Sequence, residues 1–145
     1  MVINESISIS RNPESIWSYW MDVTNDVHWR NGIIKAEWTS QPPYGIGSTG
    51  EHTHKDMGAM NWKITRFEDG NSFEFIHTSG GLKGSIAAFQ VEAENKGSRA
   101  NVQMRMSGPF IMRFMIFFMG SMMRKGVRGD LQKLKELMEK QDTNA

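Results

Sequence analysis

The sequence predicts an α+β fold: a curved antiparallel sheet of about seven strands around one long C-terminal helix, with two short helices after the first strand. Three observations lead there. An alternating segment at residues 2–10 is followed, further on, by six strand-sized segments separated by turn signals. Consecutive strands at such short spacing form an antiparallel meander. Finally, the stretch from Gly108 to Lys140 opens with Gly108-Pro109 and then has no further Pro, enough chain for ~45 Å of helix. One face of the sheet is apolar and needs a cover, and this helix is the large apolar element left to supply it.

In residues 2–10, Ile3, Glu5, Ile7 and Ile9 share one face, and Asn4, Ser6, Ser8 and Ser10 share the other. Glu5 is the odd member and is expected at the frayed start of the strand. Asn12 is placed to cap a helix with Pro13 at its first position, and Ile16, Trp17, Tyr19, Trp20 and Met21 make that helix apolar. A second short turn follows Thr24-Asn25-Asp26, carries Val27, Trp29 and Ile33, and ends at Gly32.

The strands then run in sequence. Ile34, Ala36 and Trp38 alternate with polar residues; residues 47–54 read as a polar strand; Met60, Trp62 and Ile64 alternate again. Glu68-Asp69-Gly70-Asn71 is a hairpin signal. Phe73, Phe75 and His77 form the next inward set, then Ala87, Phe89 and Val91, then Val102, Met104 and Met106. In the long helix, Met123, Val127, Leu131, Leu134 and Met138 mark one apolar stripe. Its first half, Phe110 to Met119, is apolar nearly all round apart from Arg113. Gly126 and Gly129 are expected to kink or break it. Residues 1–140 read as a single domain and 141–145 as a disordered tail.

The totals narrow the function. With 17 Lys+Arg against 16 Asp+Glu, the charge implies no nucleic-acid partner. No Cys is present, so disulfides and thiolate chemistry are excluded, and a reducing cytoplasm suits the chain. No signal peptide is visible, and the apolar run at 110–119 is shorter than the ~20 residues a bilayer needs. Twelve Met residues suit an adaptable apolar surface or a loosely specified core. The segment 110–123 can be core, a lid or an apolar patch for self-association.

The layout resembles the START/Bet v1-like (SRPBCC) superfamily, and within it the polyketide cyclase/dehydrase-like group. The resemblance covers nearly the whole chain. It rests on the segment from Ile7 to Trp17 with Arg11-Asn12-Pro13-Glu14 at its centre, on Trp29 after a short Asp/Asn-rich stretch, on Gly45 and Gly47 opening a strand, and on Leu131, Leu134, Lys135, Met138 and Glu139 in the closing helix. It implies a helix-grip fold with a hydrophobic cavity between sheet and long helix, and binding of lipids, sterols, polyketides or other apolar molecules. Some members catalyse cyclisation or dehydration, but the group has no universal catalytic motif to carry over.

On this basis the cavity is expected to be lined by Trp62, Phe73, Phe75, His77, Phe89, Met104, Met106, Ile116, Met119 and Met123, and to hold a lipid, quinone or polyketide-like ligand. His77, in phase with Phe73 and Phe75, is the candidate acid/base of a cyclase or dehydratase reading; a satisfied core histidine is the plainer one. Arg66 and Glu5 are in phase with inward residues, though exposure at a strand end explains both more simply. His52 and His54 share a strand face, yet a metal needs three or four converging ligands, and solvent-facing or cavity-rim histidines are expected instead. No metal or other cofactor is expected. No nucleophile, base and orienting group can be assembled, and the three histidines lack a carboxylate partner in sequence. A third reading has the Met-rich helix dock on a partner or a membrane surface, helped by Arg124, Lys125 and Arg128. A monomer or homodimer is expected.

Overall fold

The structure, a computed structural model, describes residues 1–107 and 110–143, with side chains described outside 110–118 and 142–143. Seven strands form one sheet: β1 Val2–Ile9, β2 Ile33–Trp38, β3 Thr49–His54, β4 Gly58–Glu68, β5 Ser72–His77, β6 Ile86–Glu94 and β7 Gly97–Arg105. Their order across the sheet is β1-β7-β6-β5-β4-β3-β2, and every described pairing is antiparallel. The meander from β2 to β7 follows from short turns. β1 is brought in from a distance, with Val2 opposite Arg105 and Ile9 opposite Ser98. Three helical pieces complete the chain: α1 Pro13–Met21, α2 Asp26–Trp29 and the long α3 Phe110–Thr143, with a 3-10 turn at Val23–Asn25 between the first two.

Alternation decides the core. Met60, Trp62 and Ile64 of β4, Phe73 and Phe75 of β5, Ala87, Phe89 and Val91 of β6, and Ala100 and Val102 of β7 are all buried. From the other side come Ile16, Trp17 and Trp20 of α1, and Val127, Leu131, Leu134 and Met138 of α3. The α1 start is capped as its sequence requires, Asn12 Oδ1 accepting from the Ser15 N–H at 2.8 Å with Pro13 at the first helical position.

Three expectations are corrected. In β2 the register shifts between Ile33 and Lys35, so Ile33 and Ala36 turn inward while Ile34 is 62% exposed; one irregular residue reverses the face of its neighbour. Glu5 is not frayed. It pairs with Val102 in mid-strand and its carboxylate accepts from Arg128 Nε of α3 at 2.9 Å. Gly126 and Gly129 leave α3 unbroken, because the packed Val127, Leu131 and Leu134 beside them hold the helix against their intrinsic cost. α3 is described through Thr143, and residues 144–145 of the expected tail lie outside the described residues. The Gly108-Pro109 signal and the side chains of the apolar half-helix 110–118 lie outside the described residues.

The described half of α3 is fastened to β1 and the turn after it. Lys135 Nζ donates to Ser8 O at 2.9 Å, Arg11 Nη1 to Met138 O at 2.9 Å, and the Ser10 N–H to Glu139 Oε1 at 3.0 Å. These bonds sit at the rim of the buried Leu131–Leu134–Met138 stripe and set its rotation over the sheet.

Candidate functional site

The interior between sheet and helices is aromatic. Phe73, Phe75 and Phe89 lie on neighbouring strands with rings roughly parallel, Phe73 to Phe89 at 4.9 Å and Phe75 to Phe89 at 5.9 Å. Trp20 of α1 and Trp29 of α2 stand edge-on to Phe89 at 5.7 and 6.1 Å. Trp62 of β4 reaches Trp38 and Phe75, both at 5.1 Å. It lies flat because the facing position on β3 is Gly50, where any Cβ would overlap the indole ring. Edge and offset contacts of this kind suit aromatic quadrupoles and fix ring positions.

A polar cluster closes one end of this interior. Asp26 opens α2 and is buried; its Oδ2 lies 2.8 Å from His52 Nε2 and 3.5 Å from Arg30 Nη1. Arg30 follows Asp26 by one helical turn and stacks its guanidinium over Phe89 at 5.6 Å. His52 reaches the cluster because Gly50 and His52 are the inward positions of β3. Burial lowers the His52 pKa below its usual value and the Arg30 charge adds to this, while the Asp26 hydrogen bond opposes both. The ring is therefore neutral at neutral pH. A neutral ring bonded to a carboxylate carries its proton on Nε2, which leaves Nδ1 as an acceptor.

Three of the five indoles in the chain have no acceptor for their N–H among the described residues: Trp20, Trp29 and Trp62, each at most 4% exposed. The other two are satisfied, Trp17 by Asp69 Oδ1 at 3.2 Å and Trp38 by Met21 O at 2.9 Å. All three unpartnered indoles line a cavity of about 10 Å³ shared with Asp26 and His52, room for about one water molecule.

The family described as polyketide cyclase/dehydrase and lipid transport matches residues 2–139, nearly the whole length of the chain. The chain belongs to this family. No curated protein matches its sequence. Among solved structures, the Aha1 dimer from Colwellia psychrerythraea has 19% identity and a TM-score of 0.69, with 96% of each chain covered. The protein MLL2253 from Mesorhizobium loti has 14% identity and a TM-score of 0.73 over 97% of this chain and 98% of the other. Ara h 8.0201 has 13% identity and a TM-score of 0.67 over 97% of this chain and 98% of its own. The fold is thus the Bet v1-like helix grip of the SRPBCC superfamily, a ligand-binding architecture.

Within this polyketide cyclase/dehydrase family member, the expected lining residues separate into two groups. Trp62, Phe73, Phe75 and Phe89 line the cavity beside the polar cluster. Met104 and Met123 are partly buried at the edge of the core, Met106 lies just past β7 and is half-buried, and Met119 is 41% exposed. The Ile116 side chain falls outside the described residues. His77 is buried behind Phe75, edge-on at 5.3 Å, with Nδ1 3.3 Å from Ser85 O. Burial, with the Arg30 charge second, lowers its pKa from 6.5 to about 4 against the pull of the Ser85 bond.

The expectation that His52 is solvent-facing or on the cavity rim is corrected: it is 2% exposed and inside. It also has the carboxylate partner that proximity in sequence does not supply. His54, two residues on, instead accepts from the Asp56 N–H at 3.0 Å. Among the described residues, no group of three or more His, Cys, Asp or Glu could hold a metal ion. No described helix is long and apolar enough to cross a membrane. Arg66 is out in solvent because the β4 register shifts between Ile64 and Arg66. Sequence reasoning does not assemble Asp26, Arg30 and His52 as a unit. The available signal is the phase of Gly50 with His52, in a segment too polar to read as an inward strand.

Proposed function

We propose that this chain binds a hydrophobic small molecule, of lipid, quinone or polyketide-like kind, between its sheet and its helices. The observation that carries the reading is the row of stacked Phe73, Phe75 and Phe89 ending at a buried polar cluster. An apolar body along the rings gains ~25 cal/mol per Å² of buried surface, and one polar end fixes its orientation. With about 10 Å³ free beside the cluster, the ligand enters by parting the helices from the sheet.

The acid/base reading at His77 draws no support from its surroundings. The ring is tied to Ser85 O, and a pKa of about 4 makes it a weak base at neutral pH. The absence of Cys suits a reducing compartment such as the cytoplasm.

The test is native mass spectrometry of protein purified without detergent, followed by denaturing release. A discrete added mass of lipid or polyketide size is expected. A clean apo mass, together with an unchanged melting temperature across fatty acids, quinones and aromatic polyketides, would overturn the reading.

A further inference from the structure

The three unpartnered indoles are a chemical specification. Trp20, Trp29 and Trp62 come from α1, α2 and β4, yet line one small cavity. Each buries an N–H that no described protein group accepts. Leaving a buried donor unmade is costly, and the neighbouring aromatic faces are weak acceptors. Three such donors on residues that line one small cavity call for a hydrogen-bond acceptor.

The charge of the surroundings says which kind. Asp26 and Arg30 offset one another, and His52 is neutral. Arg30 Nη1, 3.5 Å from Asp26 Oδ2, also makes no hydrogen bond among the described residues, but its charge is already balanced by Asp26. A carboxylate or phosphate head would leave the cluster with a net buried negative charge, and an ammonium would meet donors rather than acceptors. A carbonyl oxygen accepts two hydrogen bonds and brings no net charge.

Resting on the binding function above, we propose that the closed end of the interior is a carbonyl subsite. It takes an uncharged ketone group of an apolar ligand onto two of the indole N–H groups of Trp20, Trp29 and Trp62, with the ligand body against Phe73, Phe75 and Phe89. The protein thereby selects neutral ketones over hydrocarbons and over acids of the same shape.

Three probes separate these cases: 2-acetylnaphthalene, 2-ethylnaphthalene and 2-naphthoate. Each is titrated into the full chain with the five indole N–H signals followed by proton-nitrogen NMR, a number small enough to assign one by one. The ketone is expected to bind about tenfold more tightly than the ethyl compound. It should move at least two of the Trp20, Trp29 and Trp62 N–H signals downfield relative to the ethyl compound, and leave that of Trp17, bonded to Asp69 and outside the cavity lining, in place. Trp62→Phe and Trp29→Phe should each erase most of the preference for ketone over ethyl. The wild-type spectra decide the matter even if a variant fails to fold. Equal affinity for ketone and ethyl compound, or shifts at the three indoles no larger than at Trp17, would overturn the carbonyl subsite and leave apolar binding standing. Tighter binding of naphthoate would overturn the uncharged head. Binding of none of the three would count against the subsite and the proposed function together.

Discussion

His77 shows how much a single buried ring can say about solution behaviour. Its pKa falls from 6.5 to about 4 on folding, burial being the main cause. Below pH 6.5 the unfolded chain therefore takes up a proton that the folded chain refuses. The stability this ring contributes is intact above 6.5 and is lost as pH falls towards 4, by up to ~3 kcal/mol at ~1.4 kcal/mol per pH unit. His77→Gln is expected to flatten the decline of the melting temperature between these two pH values relative to wild type. An unchanged slope would remove His77 as its source. The inward face of His77 was legible from its phase with Phe73 and Phe75. The partnership of His52 with Asp26 was not, because alternation tells which side of a strand a residue takes and says nothing of which helix will lie over it.

At the scale of elements, the glycines divide by what surrounds them. Gly50 lies under Trp62, where any side chain would collide with the ring. Gly50→Ala is expected to lose ~1–3 kcal/mol or more as Trp62 is forced off its position. Gly126 and Gly129 sit inside an α-helix, and a methyl group on either would meet no neighbouring residue within 4 Å. Alanine at either is expected to raise stability by ~1 kcal/mol, read from chemical denaturation. Destabilisation there would show that α3 uses the glycines for close approach. Strand positions and the amphipathic stripe of α3 were readable because period-2 and period-3.6 patterns are local. The shifts at Ile33/Lys35 and Ile64/Arg66 were not, since a bulge leaves the composition of a strand untouched while turning its later residues over.

For the whole molecule, sheet and long helix form one core, and the α3 stripe is where they meet. Leu134 is fully buried in it. Leu134→Ala is expected to cost ~2–5 kcal/mol, lowering the melting temperature by roughly 2–4 °C for each kcal/mol in a chain of this size. A loss under ~1 kcal/mol would mean that the helix packs loosely on the sheet. The grip of sheet on helix followed from counting apolar surfaces in need of cover. The nearly filled aromatic interior did not, because ring packing depends on how α1 and α2 settle over the sheet, which no spacing in the sequence records.

The pairing of β1 with β7 also has a consequence in time. The first strand of the sheet finds its strand neighbour about a hundred residues later, and its helical cover comes later still. At ~5–20 residues per second, the ribosome leaves β1 without that partner for on the order of 5–20 s. The meander can assemble as it emerges, but Ile3, Ile7 and Ile9 must wait for the last strand and α3. Slower elongation through the β2–β7 region is therefore expected to lengthen the time for which the apolar face of β1 stays uncovered.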